Sequence, residues 1–557
     1  MIKIFCVNNG KDYDVEGGLS LLQLAVRLGS DLPFTPICAY VNNKTEGLSY
    51  TIYAPKRIEF LDFNSPAGQR VYVKSLCMLL YRAFVSVMPE VRLRIEHSIS
   101  GGYLCHLSDA EDRNIVPSAD LLGTIRDTMR DLVNSNLPFV AKEQPSDEVA
   151  EIYRSQHLDS KVKLLETIGN LYTPYYTLDG VADSYYTPLA PSTGFIKVFD
   201  LVPYHDGFLL MGPDPVNHDV PRSPVTQDKM LEAYRRYLRL NRTIKVSNIG
   251  ELNEVVQNRR TPELINVAEA MHEKHIASIA DSITRRNEEG GARVVLLAGP
   301  SSSGKTTTTK RLAIQLMTNL KTPKMISLDD YFVNRENTPK DETGDYDYES
   351  LYALDLDRLN SDLRRLIEGE TINLPTYSFE LGQRVERERP LSLGHDEVLL
   401  IEGIHGLNPE LTRALPDDDI FKVYISALTS LNIDDHNWIS TTDNRLLRRI
   451  VRDHKYRHTS ALETIRRWPS VRRGEEKWIF PFQENADATF NSSLIFELGV
   501  MKDYAEPLLR RVPHTSPLYA EAYRLLKFLS FFEPIPSDQI PSTSLLREFL
   551  GGSSFHY

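Results

Sequence analysis

Cysteine is scarce in this chain: four among 557 residues, Cys6, Cys38, Cys77 and Cys105, with no two in a C-x-x-C spacing. That excludes a disulfide framework and a zinc ribbon, and predicts a reducing compartment with no disulfide partner. Long apolar runs are missing too. Val294–Ala298 and Val398–Ile401 are of strand length, far short of the roughly 20 residues a membrane helix needs. A surplus of positive charge is also absent. With 64 Lys and Arg against 76 Asp and Glu, the formal charge is −12, which excludes a general nucleic-acid coat but leaves room for a single basic patch. Residues 1–17 hold no basic segment followed by an apolar run, so the expectation is a cytoplasmic protein without a signal peptide. What is present is an ordinary globular balance, 41% hydrophobic and 25% charged. At about 150 residues per domain, the length predicts three or four folding units.

The first unit reads as α+β. Met1–Val7 is patterned as a strand and Asn8–Lys11 as a turn. Behind Ser20, the residues Leu21, Leu24, Ala25 and Leu28 form a helical stripe that stops at Gly29. Ile37–Val41 and Arg57–Phe63 supply two more strands. With Cys38–Asn43 (CAYVNN), residues 1–63 resemble a TGS domain, the β-grasp module of threonyl-tRNA synthetases and some GTPases. Residues 64–225, with Pro191–Gly194 (PSTG) and Ile196–Leu201, resemble the editing-type second domain of threonyl-tRNA synthetase. In that family an H-x-x-x-H pair and a later Cys and His build a metal-dependent hydrolytic centre. Those positions fall here on Lys74, Met78, Tyr185 and Leu189, none of which is a zinc ligand. The resemblance therefore implies a scaffold or ligand sensor without deacylase activity, with RNA or a small effector as the partner to test. His97, Cys105 and His106 flank a Gly101–Gly102 hairpin without a fourth ligand, and His272 and His275 lack the H-E-x-x-H spacing, so no metal is expected there. Residues 226–288 read as a helical connector, and 516–557 as a C-terminal tail.

The chemistry is concentrated further on. Arg293–Ala298 is a buried-type strand, followed at once by Gly299–Thr306 (GPSSSGKT) and a helix over Thr307–Thr318. This is G-x-x-x-x-G-K-[ST] with both flanks correct. Gly299 and Gly304 let the backbone wrap a phosphate, so Gly299, Pro300, Ser301, Ser302, Ser303, Gly304, Lys305, Thr306 and Thr307 are the expected nucleotide-binding residues. Lys305 reaches the β- and γ-phosphates, and Thr306 offers a hydroxyl to Mg²⁺. Met325–Leu328 ends in Asp329-Asp330, placing a carboxylate where an acceptor hydroxyl must lie; register favours Asp329 as general base, with Asp330 the alternative. Val398–Ile401 runs into Glu402, the Walker-B position. No guanine-reading N-K-x-D follows these elements, which disfavours a GTPase.

Across roughly 291–510 the chain resembles the uridine kinase and phosphoribulokinase family. The motifs that carry this are GPSSSGKT, SLDDYF, Gly344–Asp355 (GDYDYESLYALD), Leu374–Phe379 (LPTYSF), IEGIHGL and Asn444–Arg457 (NRLLRRIVRDHKYR). The resemblance implies a kinase domain over 289–515, a mainly parallel sheet flanked by helices, inside a multidomain α/β and α+β chain. It implies ATP as donor, Mg²⁺, and the 5′-hydroxyl of a nucleoside, uridine first, as acceptor. Asp329 matches the general base. Thr306, Asp329 and Glu402 match the groups around Mg²⁺. Glu349 matches the acid that holds the sugar hydroxyls, and Tyr377 the aromatic beside the base. Arg449, Arg452 and Arg457 match the lid arginines. The family's base-reading His falls on Gly382 and a further lid arginine on Thr459, which loosens pyrimidine specificity. Another small alcohol or sugar phosphate, and a nucleotide-gated regulatory or RNA-associated protein, stay open as alternatives. So do GTP as donor and a homo-oligomeric state.

Overall fold

The computed structural model describes every residue except Thr343, Glu386 and Tyr557. The N-terminal unit is a five-stranded sheet over one helix. Its elements are β1 (Ile2–Cys6), β2 (Lys11–Val15), α1 (Leu21–Leu28), β3 (Cys38–Val41), β4 (Lys44–Gly47) and β5 (Lys56–Leu61), in the order β2-β1-β5-β3-β4. Ser20 caps α1 in a capping box with Gln23, and the buried stripe Leu21, Leu24, Ala25 and Leu28 faces the sheet.

The second unit starts with α2 (Pro66–Val87), long and buried over most of its length. It packs among two sheets. One joins β6 (Arg92–Ile99), β7 (Gly102–Ser108), β11 (Asp200–Tyr204) and β12 (Gly207–Met211) in the order β6-β7-β12-β11. The other is β8 (Val140–Pro145), β9 (Tyr172–Leu178) and β10 (Val181–Asp183). The helices α3 (Ala119–Asn134), α4 (Ser146–Ser155) and α5 (Asp159–Ile168) complete it.

Three helices follow: α6 (Asp228–Ile244), α7 (Ile249–Gln257) and α8 (Thr261–Glu288). They do more than span a gap. Ile276, Ile279, Ala280 and Ile283 of α8 lie in the same core as Val295 and Leu297 of the next sheet. Tyr234 of α6 donates to the Glu96 carbonyl, while Tyr237 donates to that of Asn491.

That sheet is five-stranded and wholly parallel. It comprises β13 (Val294–Ala298), β14 (Thr322–Ser327), β17 (Glu397–Glu402), β18 (Ile420–Ser426) and β21 (Ala488–Asn491), ordered β14-β17-β13-β18-β21. Every residue of the central β13 is buried, as a parallel strand covered on both faces requires. The period of two still shows. Val295 and Leu297 pack toward α8 and α9 (Lys305–Thr318), whereas Val294 and Leu296 pack toward α10 (Leu356–Ile367). Beyond α10, a small hairpin pairs β15 (Tyr377–Ser378) with β16 (Gln383–Arg384). After β18 a second hairpin, β19 (Asn432–Asp434) and β20 (Asn437–Trp438), projects into the second unit. The helices α11 (Thr441–Arg457), α12 (Ala461–Trp478), α13 (Glu497–Leu509), α14 (Tyr519–Leu529) and α15 (Arg547–Leu550) finish the chain, and α14 and α15 bury Leu525, Phe528, Phe549 and Leu550 in the main core. Among the described residues no helix is long and apolar enough to cross a membrane.

Candidate active site

The site lies at the C-terminal ends of β13, β14 and β17, where an open parallel sheet leaves a crevice. The phosphate loop between β13 and α9 has no room for larger residues. A Cβ on Gly299 would meet the Ile425 carbonyl oxygen at 2.1 Å, and Gly304, at φ +84°, would meet the Leu545 side chain at 2.5 Å. Ser302 holds a left-handed backbone at φ +59° without being glycine. Such a conformation persists only where the surroundings over-determine it, and two arginines of α11 supply that. Arg445 donates to the Ser301 carbonyl and pairs with both oxygens of Glu475. Arg448 donates to the Ser302 carbonyl at 3.4 Å and pairs with Glu497. Both side chains are fully buried. The arginines of α11 thus serve two tasks. Arg445 and Arg448 brace the loop, and Arg449 and Arg452 belong to the crevice.

Lys305 Nζ donates to the carbonyls of Gly299 and Pro300 at 3.0 and 3.2 Å, folded back along the loop. Thr306 Oγ1 donates to Glu402, with its two oxygens at 3.1 and 2.9 Å. Burial, reinforced by Asp329, pushes the Glu402 carboxyl up to about 7, although Lys305 opposes the shift. A carboxylate held against its charge beside a threonine hydroxyl suits Mg²⁺, which needs only one or two protein ligands when substrate phosphates supply the rest. No group of three or more acidic, His or Cys residues that could hold a metal exists among the described residues.

Asp329 and Asp330 follow β14 in a short 3-10 turn, and they separate cleanly. Asp330 is held by Arg389 at 2.9 Å. Asp329 is exposed to solvent in the crevice. The protein around it raises its pKa, Lys305, Arg457 and Arg452 pull it down, and Asp330 adds to the rise. Of the two, Asp329 is the one left open to the crevice.

Asp453 gathers the lid arginines. Arg449 Nε lies 3.2 Å from it, Arg452 Nη2 2.8 Å and Arg457 Nη1 3.6 Å. Arg449 also donates to Ser301 Oγ at 2.8 Å, joining the lid to the phosphate loop. Glu349 sits against α12, where a Cβ on Gly474 would meet its own Cβ at 2.3 Å. Its carboxyl is pushed up to about 7 by burial and by Glu475, against Arg449 and Lys305. Its buried Oε2 has no hydrogen-bond partner among the described residues. Tyr377 on β15 is buried, with its ring 5.6 Å from Phe332 and 5.1 Å from Phe379. The space beside Gly382 is filled by Arg335, whose guanidinium carbon a Cβ there would meet at 2.6 Å. Thr459 lies just past α11, with its hydroxyl on the Arg457 carbonyl.

Asp453, Glu475 and Arg335 were not singled out from sequence. Asp453 carried a signal, since it lies four residues from both Arg449 and Arg457. Glu475 carried none, being 30 residues from its partner Arg445.

The second unit brings Lys74, Met78, Tyr185 and Leu189 into one buried cluster. The hairpin β19–β20 packs against it through Trp438. Trp438 lies on Lys74, His436 Nδ1 donates to Asp183 at 2.8 Å, and Lys161 is bracketed by Asp183 and Asp434. Near by, His106 bridges Glu96 and Asp206, and His97 stacks on Tyr234. His272 contacts the Ser493 carbonyl. These histidines are buried structural groups.

Residues 294–494 match the Phosphoribulokinase / Uridine kinase family, a match that supports a P-loop kinase over this part of the chain. The N-terminal half is similar to threonine–tRNA ligases. That of Clostridium kluyveri is 27% identical over 203 residues, covering 36% of this chain and 31% of the ligase. That of Francisella tularensis subsp. novicida is 23% identical over 193 residues, covering 35% and 30%. The chain thus spans about a third of the length of these relatives. Among solved structures, a possible uridine kinase from Bacillus stearothermophilus is 19% identical, covering 38% of this chain and 100% of the other with a TM-score of 0.26.

Proposed function

We propose that the C-terminal half transfers the γ-phosphoryl group of ATP to the 5′-hydroxyl of a nucleoside, with uridine the first acceptor to test. The observation that carries this is Asp329: an exposed carboxylate in the crevice, under the field of Lys305, Arg452 and Arg457, beside an Asp330 already committed to Arg389. In this reading Asp329 orients the acceptor hydroxyl and takes its proton. Lys305 leaves the loop carbonyls for the phosphates, and Arg449 and Arg452 neutralise charge on the transferring group. Mg²⁺, where bound with the nucleotide, supplies charge neutralisation; Thr306 and Glu402 are the residues that would hold it, with Asp329 beside them. Glu349, with a buried oxygen left unpaired, accepts the ribose hydroxyls. Tyr377 presents an aromatic wall with Phe332 and Phe379. Most of the acceleration comes from positioning and fixed charge.

The test is ATP turnover across nucleosides and sugar phosphates, with Asp329→Asn beside the wild type. Expected is turnover on uridine or cytidine that the variant lowers by about 10²- to 10⁴-fold, while nucleotide affinity holds. Turnover confined to a sugar phosphate removes the nucleoside. No acceptor-dependent turnover removes the reading.

A further inference from the structure

Thr307, in the first turn of α9 behind the phosphate loop, already has an anionic partner from the chain itself. Glu548, in the short helix α15, accepts from the Thr307 backbone N–H at 3.2 Å and from the Thr307 hydroxyl at 2.6 Å. Thr307 is the third residue of α9, within the helix's first turn, where backbone N–H groups point out of the N-terminus. In a loop of this kind such N–H groups cradle the α- and β-phosphates of the nucleotide. Glu548 is 9% exposed, and Glu548 lies 241 residues from Thr307 in sequence. The segment around it is fixed. Leu545 packs on Gly304, Arg547 donates to the carbonyls of Ser537 and Ile540, and Phe549 lies 5.1 Å from the Arg448 guanidinium. Lys455 donates to the Leu550 carbonyl at 2.6 Å. Two of these anchors, Arg448 and Lys455, belong to α11, the helix that also carries Arg449, Arg452 and Arg457.

We propose that residues 545–550 are an autoinhibitory segment in which Glu548 stands in for a nucleotide phosphate at Thr307. This rests on the nucleotide reading of the phosphate loop. One N–H cannot serve a carboxylate and a phosphate together, and two anions at one helix N-terminus repel. Nucleotide therefore binds only as Glu548 withdraws. Because the segment is pinned to α11, its withdrawal also frees the lid helix to move over the phosphates. The apparent affinity for nucleotide is lowered by the fraction of molecules in the open state.

The experiment measures binding of a fluorescent ADP analogue with Mg²⁺ to the full chain. Wild type is compared with Glu548→Gln, Glu548→Ala and Lys305→Ala. Both Glu548 variants are expected to bind about tenfold tighter, a change of about 1.4 kcal/mol. In the wild type, amides of 545–550 are expected to exchange hydrogen faster once nucleotide is added. Glu548 variants that bind with the wild-type Kd or more weakly, both folded by circular dichroism, overturn the proposal, as does unchanged exchange at 545–550. The nucleotide reading fails separately. If the wild type binds and Lys305→Ala binds equally well, the loop is not the site. If the wild type binds nothing and the Glu548 variants bind, autoinhibition is established; if none binds, both readings fall.

Discussion

The ammonium of Lys74 lies 3.7 Å from the centre of the Trp438 ring, so a buried cation of the second unit rests on an aromatic of the kinase half. Lys74 Nζ has no hydrogen-bond partner among the described residues, and burial pulls its pKa down to about 8. A lysine with a depressed pKa makes the folded state bind fewer protons than the unfolded chain between about 8 and 10.5. Wild-type stability should therefore rise with pH across that window relative to Lys74→Met. The variant is expected to be more stable at pH 7, and its advantage to shrink by up to about 3 kcal/mol on passing pH 10.5. Urea unfolding of both proteins from pH 7 to 10.5 measures the difference.

Arg445 and Glu475 form a bidentate pair with both side chains fully buried, and Glu475 also accepts from the Ser301 N–H at 3.1 Å. Removing one partner strands the other in the core. Glu475→Ala should cost about 3–5 kcal/mol, read by denaturant unfolding, and should weaken nucleotide binding because Ser301 loses its support.

Asp453 holds three arginines, Arg449, Arg452 and Arg457. Asp453→Asn keeps the shape and removes the charge. The expectation is a fall in kcat of about 10- to 100-fold from misplaced lid cations, with a normal unfolding midpoint and an unchanged KM for acceptor. A loss of stability equal to the loss of activity would mark Asp453 as structural alone.

Glu349 sets a pH limb. Its carboxyl is held near 7, so it becomes a full acceptor for sugar hydroxyls only above that value. The kcat/KM for acceptor should rise through pH 7, and Glu349→Gln should flatten this limb and raise the acceptor KM. Stability runs the opposite way. A raised carboxyl pKa stabilises the fold below about 4.5, and this contribution is lost as pH climbs through 7.

Much of this was legible along the chain. The capped stripe of α1 was readable from Ser20, Leu21, Leu24 and Leu28, and the phosphate loop from one eight-residue string with a strand before it. Other features were misleading when read locally. Four arginines at helical spacing look like one basic face, yet Arg445 and Arg448 turn inward to Glu475 and Glu497 while Arg449 and Arg452 turn to Asp453. Periodicity reports which residues share a side of a helix; it does not report which anion waits there.

The sequence by itself determined the local chemistry: strands, caps, the phosphate loop, the Asp329 turn, and residues unfit to bind zinc at Lys74, Met78, Tyr185 and Leu189. Those follow from short-range rules that operate within a few residues. Only the tertiary structure decided that Trp438 packs on Lys74, that Asp330 pairs with Arg389 while Asp329 does not, and that Glu548 reaches Thr307 from 241 residues away. Pairings across that distance carry no periodic signal. They are fixed by how the packed cores bring the chain's ends together, and a buried charge then takes whichever partner the packing places beside it.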